Sequence, residues 1–446
     1  MQEKIVHGFS KLSKEEKVNW VVGNYFASSE DVAECVRQEL SKFWISEESL
    51  QRTFDNFSEN TLSNYLLPFG VAPNFQINGD IYAIPMVIEE SSVVAAASSA
   101  SKFWLKRGGF TAKVISTKKL GQVHFMWNGA ATKLRRLFDP LKNFLLLEAA
   151  YLTANMEARG GGILDIELKD LTHLEENYYQ LFVSFETCDS MGANFINSIL
   201  EQFAQSLKSF ISGHPRFEST EKEVEIIMAI LSNYTPECVV RASVQCPTDA
   251  LEGACMEMSG PEFAEKFKKA VRIAHIDPHR ATTHNKGIYN GVDAVVIATG
   301  NDFRAVEACG HTYAAKDGQY RSLSYCTVED GMFKFWIDLP LALGTVGGLT
   351  KLHPLAKRSL EMLGNPGADK LMEIIAVAGL AQNFAALRSL ITTGIQRGHM
   401  KMHLANILIH LKATPEATTA ATSYFEENPV SVANVRSFLE NFDRQA

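Results

Sequence analysis

The sequence predicts an α+β protein in which a small domain, residues 111–230, interrupts a larger one that is mainly helical. Three observations lead there. Residues 12–65 repeat apolar positions at three- and four-residue steps, the period of amphipathic helices. From about Phe110 the texture changes to strands and helices in the order ββ, helix, ββ, helix, close to the ferredoxin-like plan. Beyond that lie strands in 322–338, a turn at Gly344-Thr-Val-Gly-Gly348, and helices from about Leu355 to the end.

Ser13 and Ser29 stand where they can cap the first helices. Leu67-Pro-Phe-Gly-Val-Ala-Pro73 breaks the helical pattern. Two strand-like runs follow, Asn74–Ile77 and Ile81–Ile88, joined at Asn78-Gly79-Asp80, a strong hairpin signal. Glu89-Glu90-Ser91-Ser92 leads into the small, apolar Val93–Ser101, a helix for Ser91 or Ser92 to cap. In the small domain, Val114-Ile-Ser and Val123–Trp127 read as strands, and Thr132–Met156 as one helix or two. Ile163–Leu168 and Tyr179–Phe185 alternate like half-buried strands, and Asp189-Ser-Met-Gly-Ala-Asn194 opens an amphipathic helix to about Phe210. The large domain resumes near Ala229–Asn233. Within it, Lys286 sits in the polar, tightly turned segment His284-Asn-Lys-Gly287. Ala294–Ala298 reads as a buried strand presenting Asp302 at the tip of its Gly300-Asn-Asp turn. Lys286 and Asp302 can then meet in space, or be a surface lysine and a helix N-cap.

The 446 residues allow two or three domains, at about 100–200 residues each. No apolar run approaches the roughly 20 residues of a membrane span, and the N-terminus lacks a signal-peptide core. Seven cysteines without a C-x-x-C pair read as reduced thiols of a cytoplasmic protein. The net charge of −8 argues against a nucleic-acid partner.

Each constellation carries two readings. Glu90 is either a solvated helix-start carboxylate or a partly desolvated acid that stays protonated. His275, Asp277 and His279 would share one face of a strand, and with His284 they resemble zinc ligands, although Pro278 interrupts a strand. His399 and His403 stand four apart on a predicted helix; Met400 rules out H-E-x-x-H, leaving packing residues or a proton donor near neutral pH. Gly192 lets a ligand approach the backbone at a helix N-terminus, whereas G-x-G-x-x-G and P-loop patterns are absent.

Taken together the chain resembles the class II (bacterial, membrane-anchor-free) 3-hydroxy-3-methylglutaryl-coenzyme A reductases over nearly its whole length. The resemblance rests on Pro73-Asn-Phe-Gln-Ile-Asn-Gly79, Ile88-Glu-Glu-Ser-Ser-Val-Val-Ala-Ala-Ala-Ser98, Arg159-Gly-Gly-Gly162, Asp189–Asn194, Thr283-His-Asn-Lys-Gly287, Ala298-Thr-Gly-Asn-Asp302, Gly379-Leu-Ala-Gln-Asn383 and Gly398-His-Met400, in the family's order. It implies a large domain (1–110 and 231–395) built around a long central helix, the inserted small domain, and a C-terminal helical flap (396–446). It implies catalytic Glu90, Lys286, Asp302 and His399, and nicotinamide-cofactor contacts from Asp189, Met191, Gly192, Ala193 and Asn194. Substrate contacts implied are Lys11, near coenzyme A phosphates, with Ser92, Asn233, Arg280, Asn290 and Gln382. The implied reaction is two-hydride reduction of the acyl-coenzyme A thioester to mevalonate, or its reverse, at a homodimer interface and without metal. Thr153 stands where an acidic residue favours NADH, which leans toward NADPH. The chain departs from the pattern at Glu59-Asn-Thr-Leu-Ser63, Ser91 and Ser190, none of them catalytic. The competing expectations are a zinc hydrolase using His275, Asp277, His279 and His284, and a non-catalytic acyl-coenzyme A-binding protein.

Overall fold

The computed structural model describes residues 4–392, 404–425 and 428–443. Three short helices come first: α1 (Lys14–Tyr25), α2 (Glu30–Ser41) and α3 (Glu48–Asp55). Ser13 and Ser29 cap the first two by accepting the amide hydrogens of Glu16 (3.2 Å) and Val32 (3.3 Å). Strands β1 (Phe69–Ile77) and β2 (Asp80–Val87) form the expected hairpin. Its turn places Asn78 at φ 52° and Gly79 at φ 96°, the left-handed pair that Asn-Gly tolerates best. Helix α4 (Val93–Leu105) follows. Ser92 is its N-cap residue, but in a left-handed conformation (φ 72°) and without a capping side-chain bond.

Strand β3 (Thr111–Thr117) pairs with β8 (Cys238–Pro247) in a sheet completed by β10 (Met332–Pro340) and β9 (Ser324–Glu329). One residue later β4 (Lys119–Trp127) begins a different sheet. Helices α5 (Ala131–Arg136) and α6 (Phe138–Glu157), strands β5 (Gly162–Asp170) and β6 (Tyr178–Glu186), helix α7 (Ala193–Gly213) and strand β7 (Val224–Ser232) complete that unit. Its antiparallel order β5-β6-β4-β7, with a helix after the first and third strands, is the ferredoxin-like arrangement. The sequence reading differs at both ends: Val114–Ser116 belongs to the large-domain sheet, and β7 closes the small one. Only pairing partners distinguish β3 from β4, because the strand pattern runs almost unbroken through Lys118.

The large core surrounds α13 (Ala368–Ile391), packed against α4, α8 (Gly260–Ile276) and α9 (Pro278–Ala298). By length and a mean hydropathy of 1.6, α13 could cross a membrane. It is a core helix instead, with most of that apolar stretch buried inside the protein. The expectation that no such run exists is corrected here: core helices that are apolar all round share that composition. Helices α10 (Phe303–Ala314), α11 (Leu349–Leu352) and α12 (Pro354–Met362) complete the large domain before α13. The C-terminal helices α14 (404–410), α15 (Pro415–Tyr424) and α16 (Val432–Asp443) gather their own apolar cluster around Leu408, Ala421 and Val435.

A second correction concerns residues 278–298, which form one helix rather than a turn and a strand. Pro278 opens it and the Asp277 side chain caps it. Its C-terminal half is buried nearly all round, so Ala294, Val295 and Val296 show no helical period. Gly291 serves contact: a Cβ there would lie 2.6 Å from Ala378 O of α13.

Candidate active site

Lys286 projects from the middle of α9 and its Nζ donates to Glu90 Oε2, on the loop between β2 and α4. The side chains are 59% and 36% exposed, and ion pairs that wet contribute little to stability, about 0–1 kcal/mol. The pair is therefore better explained by what it does than by what it holds together. Asn290 lies one turn on from Lys286 along α9 and shares its face. Arg280 is half-buried near the start of the same helix; burial lowers its pKa and Asp277 opposes the shift. Gln382 of α13 is buried, and its Oε1 has no hydrogen-bond partner. Ser92, two residues after Glu90, starts α4.

Helices α4 and α13, with residues 253–257, line an open cavity of about 600 Å³ that includes Ala96, Ser99, Ala100, Phe384, Ala385 and Arg388. It begins one turn beyond Ser92 and just after Gln382. The Arg388 guanidinium donates to Ala254 O at 2.7 Å. The motif reading did not find this cavity; its only sequence signal was the run of small residues in Val93–Ser101.

Asp302 is not with Lys286. It is the N-cap of α10, accepting from the amides of Arg304 (3.0 Å) and Ala305 (3.2 Å) and pairing with the Arg304 guanidinium. Burial pushes its carboxyl up, but the Arg304 side chain and the helix amides outweigh this and hold it below the usual range. Twelve residues of α9 separate Lys286 from the helix end at Ala298, a rise of about 18 Å. The expected meeting across a strand therefore fails within one chain.

The zinc reading also fails on geometry. His275 ends α8, Asp277 caps α9, and His279 and His284 lie on α9. His275 Nε2 meets Ser324 O at 2.8 Å and His284 Nε2 meets Ser324 Oγ at 2.6 Å. Ser324 Oγ donates in turn to Asn383 Oδ1 at 2.8 Å, so these groups tie α8, α9, β9 and α13 together. Among the described residues no three His, Cys, Asp or Glu side chains converge as a metal site.

The sequence model of hydroxymethylglutaryl-coenzyme A reductase matches residues 27–404. The 3-hydroxy-3-methylglutaryl-coenzyme A reductase of Archaeoglobus fulgidus is 36% identical over 411 residues, 92% of this chain and 88% of that one. The chain belongs to the hydroxymethylglutaryl-coenzyme A reductase family.

The probable reductase of Borreliella burgdorferi is 32% identical over 87% of this chain and 86% of its own. Among solved structures, the class II reductase of Streptococcus pneumoniae bound to NADPH in open conformations superposes with a TM-score of 0.70 at 36% identity, covering 86% of this chain and 99% of that one. A second structure of the Streptococcus pneumoniae enzyme covers 98% of this chain and 99% of its own at 33% identity, with a TM-score of 0.71. Family membership makes the chain a nicotinamide-dependent oxidoreductase acting on an acyl-coenzyme A thioester.

In the family's small domain, the Asp189–Asn194 loop joins β6 to α7. Gly192 has φ 92°, and a Cβ there would lie 2.6 Å from Thr187 Cγ2, so only glycine fits. No side chain caps α7, so its first amides have no side-chain acceptor, the arrangement an anionic ligand can use. Met191 and Asn233 line a small cavity with Ala305 and Val306, immediately after Asp302. Asp189, Asn194 and Asn233 are exposed, and Ala193 half-buried. Thr153, whose position the resemblance placed beside the cofactor ribose, is instead turned into the core at 2% exposure, its hydroxyl donating to Ala150 O, so its side chain makes no ribose contact here. Lys11 is exposed on the short N-terminal turn. His399 and His403 lie outside the described residues.

Proposed function

We propose that the chain reduces 3-hydroxy-3-methylglutaryl-coenzyme A to mevalonate and free coenzyme A, with NADPH as hydride source. The Lys286–Glu90 contact, in a chain of this family, carries the reading. Two NADPH molecules, bound in turn, would each supply one hydride. The first addition builds negative charge on the thioester oxygen, and the Lys286 ammonium stabilises it; such donors are worth about 3–4 kcal/mol in a closed site. The hemithioacetal then breaks its C–S bond, releasing the aldehyde and coenzyme A thiolate. His399 is assigned to protonate that thiolate. On the second addition Glu90, having taken up a proton from solvent, passes it to the aldehyde oxygen, forming the alcohol. Arg280, Ser92 and Asn290 are assigned to the acyl group, and the cavity of about 600 Å³ beside α4 and α13, with Ala96, Ser99 and Ala100 on one wall, is assigned to the pantetheine arm.

The residues fall into two groups. Glu90, Ser92, Arg280, Lys286, Asn290 and Gln382 lie along α4, α9 and α13, whereas Met191, Asn233 and the turn at Asp302 surround a separate cavity. This division supports a homodimer in which each site takes its acyl-coenzyme A half from one protomer and its cofactor half and Asp302 from the other. Seven free cysteines suit a reducing cytoplasm. NADPH is preferred to NADH because the Thr153 position offers no carboxylate to the ribose, and the similar Streptococcus pneumoniae structure is NADPH-bound.

Steady-state oxidation of NADPH and NADH with the acyl-coenzyme A substrate tests the reading. Turnover with neither cofactor, in either direction, would exclude it, and faster turnover with NADH would reverse the cofactor choice.

A further inference from the structure

Lys119, the first residue of β4, is 4% exposed. Along that strand it shares its face with Val123, Phe125 and Trp127, which are core residues. A lysine on that face is costly to bury unless something receives its charge. Among the described residues its side chain makes no hydrogen bond and no ion pair. The acidic groups around it act through space: burial raises the Asp369 pKa, Glu186 and Asp189 raise it further, and Lys119 opposes them.

Lys119 lines the small cavity already described, with Met191, Asn233 and Val306. The cavity measures about 10 Å³, room for about one polar atom or one water. On one side it is walled by the loop assigned to the nicotinamide ring. Asn233, exposed at the end of β7, adds an amide with one acceptor and one donor end. A primary carboxamide has the matching pair, a carbonyl oxygen that accepts and an NH2 that donates.

We propose that Lys119 is a cofactor-binding residue that donates to the carboxamide oxygen of the nicotinamide ring and so fixes which face of the ring meets the substrate. The inference rests on the Asp189–Asn194 loop holding that ring, and goes beyond it by assigning a residue from a different strand. The ammonium of this nearly buried lysine then gains a direct hydrogen-bond partner.

The test uses NADPH and its reduced thionicotinamide analogue, whose sulfur is a poor hydrogen-bond acceptor. Wild type, Lys119→Met and Lys119→Arg are compared by kcat/KM with the acyl-coenzyme A substrate, and by cofactor Kd in its absence. Wild type should prefer the oxygen compound by about tenfold, the ratio expected of a hydrogen bond from a charged donor. Lys119→Met should shrink the preference to within about twofold, while Lys119→Arg, which still donates, should keep most of it. An unchanged preference in Lys119→Met overturns the proposal, as does Lys119→Arg behaving like Lys119→Met. If Lys119→Met does not fold, a wild type that binds both cofactors equally overturns it. The Kd arm needs no turnover, so failure of the reductase reading and failure of the Lys119 assignment are told apart.

Discussion

The Asp189 carboxylate accepts the backbone amide hydrogen of Ala368 at 2.7 Å. The loop assigned to the cofactor in the small domain thereby caps the central helix of the large domain. Gly367, the N-cap residue of α13, supplies no side chain of its own, and a carboxylate suits the positive end of a helix. The contact is reinforced where Thr345 N donates to Asp189 O at 2.9 Å.

Gly344 lets this junction close, because a Cβ there would lie 2.5 Å from Met191 N. Gly344→Ala should displace the loop rather than the acyl-coenzyme A groove. The KM for NADPH should rise about tenfold, within the range of overpacking costs, with the acyl-coenzyme A KM little changed. Equal rises in both, measured by steady-state kinetics, would mean the loop is not the cofactor's.

Lys286→Ala should reduce kcat to below about a tenth of wild type, since a loss of a few kcal/mol is expected. Asp302→Ala should be similarly impaired. Mixing the two inactive chains under subunit exchange should restore about a quarter of wild-type activity, because a two-fold dimer then contains one intact site in half of its molecules. No recovery, with exchange verified by mass spectrometry, would place both residues in one chain's site.

His399→Gln should slow thioester reduction far more than reduction of free mevaldehyde, because only the thioester route expels a thiolate. His403→Gln is the control. Equal slowing of both substrates by His399→Gln would remove the proton-donor role.

His284 is buried, and burial first, then Arg280 and His275, lowers its pKa to about 3. Below pH about 6.5 the unfolded chain binds a proton there that the folded chain refuses. Stability is therefore complete above that pH and falls as pH drops toward the folded value, by about 1.4 kcal/mol per unit. His284→Gln should flatten Tm between pH 6.5 and 4.5; parallel Tm curves would show that His284 is not the group responsible.

Asp293 shifts the other way. Burial and then Glu307 raise its pKa, and its Oδ1 has no partner. The folded chain keeps a proton that the unfolded chain has released, so this group lowers stability as pH rises from the carboxylate range toward neutral. Asp293→Asn should raise Tm at pH 7.5 and raise it less at pH 5. Thermal melts showing a loss at pH 7.5 would contradict this.

The sequence by itself determined the local signals and the chemistry. Ser13, Ser29 and Asn78-Gly79 act where they stand, because caps and turns are settled within a few residues. The Glu-Glu, His-Asn-Lys-Gly and Gly-Asn-Asp motifs were enough for the family, and Glu90 and Lys286 do meet. Tertiary structure alone decided the rest. Residues 294–298 are buried on every side, which erases the period that tells helix from strand. Adjacent strands β3 and β4 join different sheets, since hydrogen-bond partners far along the chain select the pairing. Lys286 lies mid-way along helix α9 whereas Asp302 lies beyond that helix's end as the N-cap of α10, and a helix where the sequence suggested a turn and a strand sets them apart along a rigid rod. Nothing in Thr-Lys-Lys-Leu marks Lys119; the packing of elements far apart in the chain leaves it only 4% exposed.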